Sequence, residues 1–306
     1  MTRDASGVWT VTIGPLAPEV YEYFFMIDGV KVLDARNPSV KMGEFAASLL
    51  DVGGVPARFD QARDVPHGTL QLLTYTSSSF QKRRTLYVYV PPQYDSEPTR
   101  RFPVLYLRHG NGDDETAWPF QGRAGIILEN LLAEKKAMPM LIVMPYGEST
   151  ATGGGMPEGY ERVYRELQDD VMPLVESRFR VFTDRENRAI AGLSMGGGQA
   201  FTIGLRHLDS FGWVGEFSSG LLSDDNFRIA SYLPKLVADP EGTNAKLRLL
   251  FLSCGTEDPR YAGHLNLVDD LKSLSIRHVW YSTPGAHEFK VWRHSLLEFL
   301  PLLFRR

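Results

Sequence analysis

The sequence contains little of several features that define whole classes of protein. Its 306 residues include a single cysteine, Cys254. Neither a disulfide framework within the chain nor a thiolate-rich structural zinc site can therefore form. No apolar run approaches the roughly 18 residues of a membrane-spanning helix, and residues 1–7 lack the apolar stretch of a secretion signal. The sequence leaves the localisation undecided.

An excess of basic residues is also missing. The chain has 33 Lys and Arg against 37 Asp and Glu, a formal net charge of −4. Binding to nucleic acid or to an anionic membrane needs clustered Lys and Arg, so we expect neither as the main partner. The composition, 43% hydrophobic and 23% charged, is that of a soluble globular protein. The length allows one large domain or two smaller ones.

Residues 1–63 predict β-structure. Val8–Ile13 predicts one strand, and Val20–Ile27 and Val30–Leu33 bracket Asp28-Gly29, a two-residue hairpin signal. These few strands fall short of the seven or so that usually close a β-sandwich. We expect either a β-extension packed on the main domain or a truncated separate domain, with a boundary near residue 64.

Beyond the Gly- and Pro-containing segment 53–67, predicted strands and helices alternate. The predicted strands are Leu70–Thr76, Thr85–Val90, Pro103–Leu107, Met140–Met144, Arg188–Ala191, Leu247–Ser253 and Arg277–Tyr281. The predicted helices are Gly125–Lys136, Tyr160–Phe179, Met195–His207, Gly263–Leu274 and Phe289–Leu303. This alternation predicts an α/β fold with a mostly parallel sheet that is covered on both faces.

One glycine-rich stretch has the pattern of a nucleophile elbow. Gly192-Leu-Ser194-Met-Gly196 lies between a predicted strand and a predicted helix. In this pattern a sharp turn strains the backbone of the serine, and the flanking glycines leave room for closely packed backbone. The side chain of Ser194 would project at a helix N-terminus, where N–H groups and the helix dipole favour a developing oxyanion. We predict Ser194 as a catalytic nucleophile rather than as part of an incidental glycine-rich loop.

A serine nucleophile needs a histidine base, which follows it along the chain in this arrangement. Among the histidines after Ser194, His287 lies in the loop between the last predicted strand and the last predicted helix. The others are interpreted as capping, structural or surface residues: His207, His264, His278 and His294. His287 is therefore the predicted base.

The orienting carboxylate is expected in the loop after the strand Leu247–Ser253, at the carboxyl edge of the sheet. This loop offers both Glu257 and Asp258, and Pro259 would hold Asp258 rigidly. Cys254, at the end of the same strand, is interpreted as a small buried residue rather than as a nucleophile.

An oxyanion hole needs two backbone N–H donors, one from the residue after the nucleophile and one from a loop after an earlier central strand. Met195 meets the first requirement, and Asn111, after the strand Pro103–Leu107, meets the second. Gly110 and Gly112 would let the backbone approach the substrate carbonyl. No dinucleotide-binding or Walker pattern follows these glycines, and no His, Asp and Glu cluster has metal-site spacing. No cofactor or metal is expected.

Several stretches within residues 64–306 resemble the α/β-hydrolase esterases of carbohydrate esterase family 1, which are esterase D-like, and especially bacterial feruloyl esterases of xylan-degrading systems. The stretches are Tyr87–Tyr94, Pro103–Gly110, Asp184–Gln199, Gly255–Asp258 and Gly285–Arg293. The resemblance implies an α/β-hydrolase esterase domain over residues 64–306. Many relatives have Gly-Gly-His in the base loop, where this chain has Gly285-Ala286-His287.

The same resemblance implies the roles of the site residues and the kind of substrate. It supports Asp258 over Glu257 and implies a catalytic triad of Ser194, Asp258 and His287, with oxyanion donors Asn111 and Met195. It implies hydroxycinnamoyl esters of plant cell-wall xylan as substrates, and a secreted or periplasmic location fits such a role. Four aromatic residues near the predicted site loops are candidates to flank a phenolic ring, although each also suits a packing role: Trp118, Phe120, Tyr261 and Trp292.

The N-terminal residues resemble the latter part of an early-set immunoglobulin-like domain related to glycogen-binding modules. The matching stretches are Asp4–Trp9, Tyr21–Gly29 and Asp34–Pro38. The opening strands of such a domain are not present, and Trp9 and Tyr23 are expected to fill a core rather than stack on sugar. We expect an uncovered β-edge here, closed by the hydrolase domain or by another copy of the chain.

Other functions remain open at this point. Within the same fold they are a siderophore trilactone esterase, an acetyl xylan esterase or an acyltransferase to a sugar. A siderophore esterase would want a basic pocket, for which Arg108 and Arg123 are candidates. From another class, the chain could be a catalytically inactive carbohydrate-binding protein, which the intact Ser, Asp and His set argues against. The expected partner is a small-molecule or polysaccharide ester, with a homo-oligomer through the N-terminal edge as a further expectation.

Overall fold

The structure, a computed structural model, describes residues 1–147, 157–223 and 227–305. Its largest element is an eight-stranded sheet in which six adjacent strands are parallel and the two strands at one edge join through antiparallel pairings. The strands of this sheet are β8 (Thr69–Ser77), β9 (Lys82–Val90), β10 (Val104–Arg108), β11 (Leu141–Pro145), β12 (Arg188–Leu193), β13 (Trp213–Phe217), β14 (Leu249–Gly255) and β15 (Val279–Thr283). Their order across the sheet is β15-β14-β13-β12-β10-β11-β9-β8.

Helices follow most of these strands along the chain. They are α1 (Gln93–Ser96), α2 (Ala124–Ala133), α3 (Pro157–Glu166), α4 (Met172–Arg178), α5 (Met195–Arg206), α6 (Ile229–Tyr232), α7 (Pro234–Ala238), α8 (Pro240–Lys246), α9 (Tyr261–Ser273) and α10 (Phe289–Phe299). Single π-helical turns occupy Ala117–Gln121 and Leu167–Val171, and short 3-10 turns occupy Arg185–Asn187, Gly220–Ser223 and Leu300–Leu302.

The sheet is buried on both faces because alternate side chains of each central strand enter different hydrophobic clusters. In β10, Val104 and Tyr106 pack into one cluster together with residues of α3, α4, α5 and α9. Leu105 and Leu107 pack into the other, which α2 and α10 cover. This two-sided burial explains why the central strands are apolar throughout rather than alternating.

The predicted fold class, an α/β fold with a mostly parallel sheet, is confirmed. One strand of the sheet, β13, was not predicted, because Gly215 and Glu216 interrupt its apolar pattern. The helices α6 to α8 were also not predicted. The predicted strand Val8–Ile13 is wrong in extent, since only Trp9–Thr10 forms a strand, paired with Thr2–Arg3.

The N-terminal residues form three small sheets. Strands β1 (Thr2–Arg3) and β2 (Trp9–Thr10) pair, as do β4 (Phe25–Ile27) and β5 (Val30–Val32), and a three-stranded sheet has the order β3 (Glu19–Tyr23), β7 (Ala47–Val52), β6 (Val40–Lys41). The expectation that Trp9 fills a core is wrong, because 60% of its surface is exposed. Tyr23 is half-buried, and its hydroxyl donates a 2.8 Å hydrogen bond to Asp34 Oδ2.

Side chains of α2 and α10 anchor the end of this segment on the main sheet's helices. The Asn130 amide donates to the carbonyl oxygens of Phe59 and Gln61 at 2.8 and 2.9 Å. Arg293 Nε lies 2.8 Å from Asp60 Oδ2, with both side chains 2% exposed. The N-terminal residues are therefore in direct, partly buried contact with the α/β unit.

No helix in the described parts of the chain is both long and apolar enough to cross a membrane.

Candidate active site

The candidate site lies at the carboxyl edge of the sheet, where Ser194 occupies the turn between β12 and α5. Ser194 has φ 51° and ψ −116°, a conformation that side-chain-bearing residues rarely adopt. A Cβ atom at Gly192 would collide with Gly196 O, and one at Gly196 would collide with His109 O. The two glycines are therefore required by close backbone packing around the serine, as the sequence pattern predicts.

Ser194, His287 and Asp258 form a continuous chain of polar contacts. Ser194 Oγ lies 2.9 Å from His287 Nε2. On the other side of the ring, His287 Nδ1 lies 2.6 Å from Asp258 Oδ2. The three residues come from the loops after β12, β15 and β14, so the parallel sheet brings together side chains that are far apart in sequence.

Asp258 is the buried carboxylate of the loop after β14. Its side chain is 0% exposed, whereas the neighbouring Glu257 is exposed. Burial alone would raise the pKa of Asp258, but the hydrogen bonds from His287 and from the Arg260 backbone N–H outweigh it and lower the pKa to about 2. Asp258 is therefore ionised at neutral pH, and His287 Nδ1–H donates to it.

The loop after β10 carries the predicted second oxyanion donor. Asn111 is exposed and lies on the same cleft as Ser194. Gly110 packs beside the nucleophile, where an added Cβ would come within 3.4 Å of Ser194 Cβ. Met195 opens α5, and the first N–H groups of a helix have no partner within the helix. The geometry can thus present two N–H groups to an oxygen beside Ser194.

A cleft of about 290 Å³ surrounds Ser194 and His287. Trp292, one of the predicted substrate-binding residues, lines it, and its ring centre lies 4.9 Å from that of His287 in an edge-on arrangement. Phe289 and Leu193 add further apolar surface. The cleft therefore combines a polar reacting centre with apolar walls, as small-molecule sites usually do.

The other three aromatic candidates lie outside the lining of this cleft. Trp118 is 1% exposed and packs edge-on against Phe217 and Phe289, and its indole N–H donates to Arg108 O at 2.8 Å. Phe120, 45% exposed, packs against Tyr87. Tyr261, the first residue of α9, packs against Trp280. Trp118 is thus a core residue that supports the end of β10, which is the packing role considered for it in the sequence and not the substrate contact.

The two arginines considered for a basic pocket are also held elsewhere. Arg108 is fully buried, and its Nε donates a 3.0 Å hydrogen bond to Gln199. Arg123 pairs with Asp51 at 2.8 Å. Neither lines the cleft.

Three lining residues come from the N-terminal segment, which sequence reasoning did not connect with catalysis. They are Glu22, Lys41 and Phe45. Lys41 Nζ lies 3.4 Å from Asp113 Oδ1 and 3.6 Å from Glu22 Oε1. No local signal in the sequence marks these residues, because they reach the site only through the packing of the N-terminal sheet on the loop after β10.

Two of the remaining histidines, His264 and His207, contact glutamates. His264 Nε2 lies 2.9 Å from Glu216 Oε1, and both side chains are almost completely buried. His207 stacks on Tyr164 and lies 3.0 Å from Glu161. Within the described ranges, no group of three or more His, Cys, Asp or Glu residues could hold a metal ion.

Comparison with known proteins identifies the family of the chain. Residues 77–303 match the family model named Esterase. The chain belongs to the esterase family. Its expected α/β-hydrolase fold is confirmed.

Individual relatives and solved structures similar to this chain are also named as esterases. The chain is 34% identical over 321 residues to an endo-1,4-beta-xylanase/feruloyl esterase of Xylanibacter ruminicola, a match that covers 100% of this chain and 41% of that protein. The chain thus spans about two fifths of the length of this relative. A solved ferulic acid esterase is 26% identical, with a TM-score of 0.65, over 77% of this chain and 97% of its own. The enterobactin esterase of Shigella flexneri shares the fold at 18% identity and a TM-score of 0.64, over 89% of this chain and 69% of its own.

Proposed function

We propose that this protein is a serine carboxylesterase in which Ser194, His287 and Asp258 act as a catalytic triad. The observation that carries the proposal is the chain of contacts from Ser194 Oγ through His287 to Asp258, at 2.9 and 2.6 Å. These are the distances at which a base can take the proton of a nucleophile while a carboxylate orients it.

The reaction proceeds in two acyl-transfer steps. Ser194 Oγ attacks the ester carbonyl carbon while its proton passes to His287 Nε2, and the ionised Asp258 stabilises the imidazolium. The N–H groups of Asn111 and Met195 bind the tetrahedral oxyanion, which collapses as the bond to the alcohol breaks and the imidazolium protonates the leaving oxygen. Water, activated by the same histidine, then attacks the acyl-enzyme and releases the acid.

The proposed substrates are hydroxycinnamoyl esters of plant cell-wall xylan, with the feruloyl group as the acyl part. Two observations support this choice. The cleft has apolar and aromatic walls, to which Phe45, Phe289 and Trp292 contribute. The Xylanibacter ruminicola relative is named as a xylanase and feruloyl esterase. An acetyl xylan esterase is the alternative that differs only in the acyl group.

A siderophore trilactone esterase is a second candidate, favoured by the shared fold of the Shigella flexneri enterobactin esterase. The charges of the cleft argue against it. Among the residues that the structure describes, its lining contains one ammonium, Lys41, against three carboxylates, Glu22, Asp113 and Glu288. A ferric catecholate complex is strongly anionic and would be repelled by such an excess of negative charge.

A panel of esters tests both the chemistry and the substrate. We expect hydrolysis of 4-nitrophenyl acetate, methyl ferulate and feruloylated arabinose, and loss of all three activities in Ser194→Ala, with an unchanged circular dichroism spectrum. A Ser194→Ala variant that retains turnover would rule out the proposed nucleophile. If acetyl esters are cleaved and feruloyl esters are not, the acetyl xylan esterase alternative replaces the feruloyl assignment. A folded wild-type protein that resists fluorophosphonate labelling would support the inactive, carbohydrate-binding alternative.

A further inference from the structure

The N-terminal sheet packs directly on the loop that carries Asn111. Residues 41–45 are called the N-terminal strip here, and residues 110–113 the oxyanion loop. The Glu44 backbone N–H donates a 2.8 Å hydrogen bond to Gly112 O. An added Cβ at Gly43 would lie 2.5 Å from that same oxygen, and one at Gly112 would collide with the ring of Phe45. The backbone of the N-terminal strip and the ring of Phe45 are thus in close contact with the oxyanion loop.

A charged contact reinforces this packing. Lys41 Nζ lies 3.4 Å from Asp113 Oδ1, and the two side chains are only 11% and 7% exposed. Glu22 Oε1 also lies near the ammonium, at 3.6 Å, and its side chain is 42% exposed. The ammonium also lies 5.8 Å from the centre of the Phe289 ring. Because the Lys41–Asp113 pair is largely removed from water, its attraction is screened less than that of a surface ion pair.

The oxyanion loop needs such external support. Gly110 and Gly112 have no side chains that could restrict the backbone, and Gly112 has a φ of +79°. Within the loop, the Asp113 N–H donates to Gly110 O at 3.3 Å, which closes the turn around Asn111. Asp113 therefore has two contacts. Its backbone N–H closes the turn that presents the Asn111 N–H, and its carboxylate contacts the Lys41 ammonium.

We propose that the N-terminal strip is part of the catalytic apparatus and that Lys41 is a positioning residue, which holds the oxyanion loop in place through Asp113. This inference rests on the proposed function, since it needs the Asn111 N–H to act on the oxyanion. It assigns the N-terminal β-segment a role in transition-state stabilisation, separate from any affinity for sugar.

The proposal has a specific kinetic consequence. Oxyanion donors act on the charge that develops in the transition state, so displacing one lowers kcat and leaves KM nearly unchanged. Removing a donor typically costs about 10²- to 10³-fold in kcat, and a misplacement of about 1 Å can cost about 10²-fold. Loss of the Lys41–Asp113 contact should therefore lower kcat by about 10- to 100-fold, equally for acetyl and feruloyl esters.

The experiment compares Lys41→Met and Lys41→Arg with the wild type, in the full chain, on 4-nitrophenyl acetate and methyl ferulate. Lys41→Met should lower kcat on both esters, with KM within about twofold, and Lys41→Arg should restore most of the activity because it keeps the charge. Lys31→Met is the matched control. Lys31 lies in the exposed β4–β5 hairpin, 4.5 Å from the centre of the Phe24 ring and outside the cleft lining, and its replacement should leave both parameters unchanged.

A double-mutant cycle with Asp113→Asn tests whether Lys41 acts through Asp113. Asp113→Asn keeps the size of the side chain and removes its charge, so it also provides the measurement if Lys41→Met does not fold. We expect the double variant to be no slower than the slower single variant, because the two substitutions break one contact. Melting temperatures from circular dichroism separate loss of activity from loss of folded protein.

Three outcomes would overturn the proposal. A rise in KM without a fall in kcat, or a loss confined to one ester, would make Lys41 a substrate contact. Full activity of folded Lys41→Met and Asp113→Asn would show that the strip does not position the loop. Additive effects in the cycle would separate Lys41 from Asp113. A wild-type protein that hydrolyses neither ester would instead overturn the proposed function, so the two failures are distinguishable.

Discussion

The Nε2 atom of His109 accepts a 2.6 Å hydrogen bond from the backbone N–H of Gly147. The proton of the ring must then lie on Nδ1, which donates to Gly110 O at 2.8 Å. His109 thus ties the oxyanion loop to the segment after β11. This bridge needs a neutral imidazole, because a protonated ring could not accept from Gly147.

Acidification should therefore destabilise the fold through His109. Burial lowers the pKa of this imidazole from 6.5 to about 4. Its contribution to stability is fully present above pH 6.5 and is lost as the pH falls towards 4, because the unfolded chain then binds the proton more tightly. The change amounts to about 3 kcal/mol. Urea titrations of the wild type and His109→Gln between pH 4 and 7 should show a steeper loss of stability with acidification in the wild type than in the variant.

The control for this measurement is His278→Gln. His278 is half-buried just before β15, and its Nδ1 lies 2.8 Å from the carbonyl oxygen of Ile276. Its replacement should leave the slope intact. An equal slope in wild type and His109→Gln would contradict the assignment to His109.

Asp258 and Glu257 are adjacent carboxylates with different expected roles. Asp258→Asn should lower kcat by about 10⁴-fold, because an amide cannot hold the same tautomer of His287 or stabilise its imidazolium. Glu257→Gln, the matched control, removes an exposed charge one residue away and should leave kcat within about twofold. Steady-state kinetics with methyl ferulate compares the two. Equal losses in both variants, or none in Asp258→Asn, would contradict the choice of Asp258.

The buried Glu216–His264 pair should contribute to stability rather than to catalysis. Burial opposes the charged imidazole, but the carboxylate of Glu216 and the nearby Cys254 raise the pKa of His264 well above 6.5. This stabilisation is present below pH 6.5 and is lost as the pH rises through the raised pKa. Glu216→Gln should lower the free energy of unfolding by about 3 to 5 kcal/mol at pH 6, and by less at alkaline pH.

A partly buried glutamate beside a histidine provides the comparison. The side chain of Glu161 is 40% exposed and lies 3.0 Å from both His207 Nε2 and Arg206 Nη1. Glu161→Gln should cost at most about 1 kcal/mol, because solvent screens the pair. Urea unfolding at pH 6 and pH 9 measures both variants, and equal costs would show that burial does not decide the effect.

Gly196→Ala should damage the elbow by a steric route. The added methyl group would collide with His109 O, a backbone atom at the base of the oxyanion loop. We expect a loss of activity of at least about 100-fold, since a backbone shift of about 1 Å at a reacting centre is that costly. At Gly53, by contrast, the nearest atom to an added Cβ is the mobile end of Gln61, at 3.4 Å. Gly53→Ala should therefore retain full activity with 4-nitrophenyl acetate, and an active Gly196→Ala would contradict the steric argument.

The sequence is most informative where the pattern is local. The strand, turn and helix around Ser194 lie within about 20 residues, so apolar periodicity and glycine spacing predict them directly. The base loop before α10 is equally compact. The choice of Asp258 over Glu257 needed the resemblance to a known family, because two neighbouring carboxylates in one loop look alike in sequence. The domain boundary near residue 64 and the oligomeric state remain predictions.

Other features depend on tertiary contacts and have no local signal. Strand β13 contains Gly215 and Glu216. The buried Glu216 pairs with His264, which lies 48 residues further along the sequence. Trp118 and Trp292 are both large aromatic residues, but only packing decides that the first fills the core and the second lines the cleft.

The sequence by itself determined the α/β class, the elbow at Ser194 and the position of His287, because spacing along one chain segment encodes them. Only the tertiary structure decided that Glu22, Lys41 and Phe45 reach the cleft. Lys41 and Asp113 are 72 residues apart in sequence, and their contact depends on how one sheet packs against one loop. Such packing is a property of the whole core rather than of any short pattern.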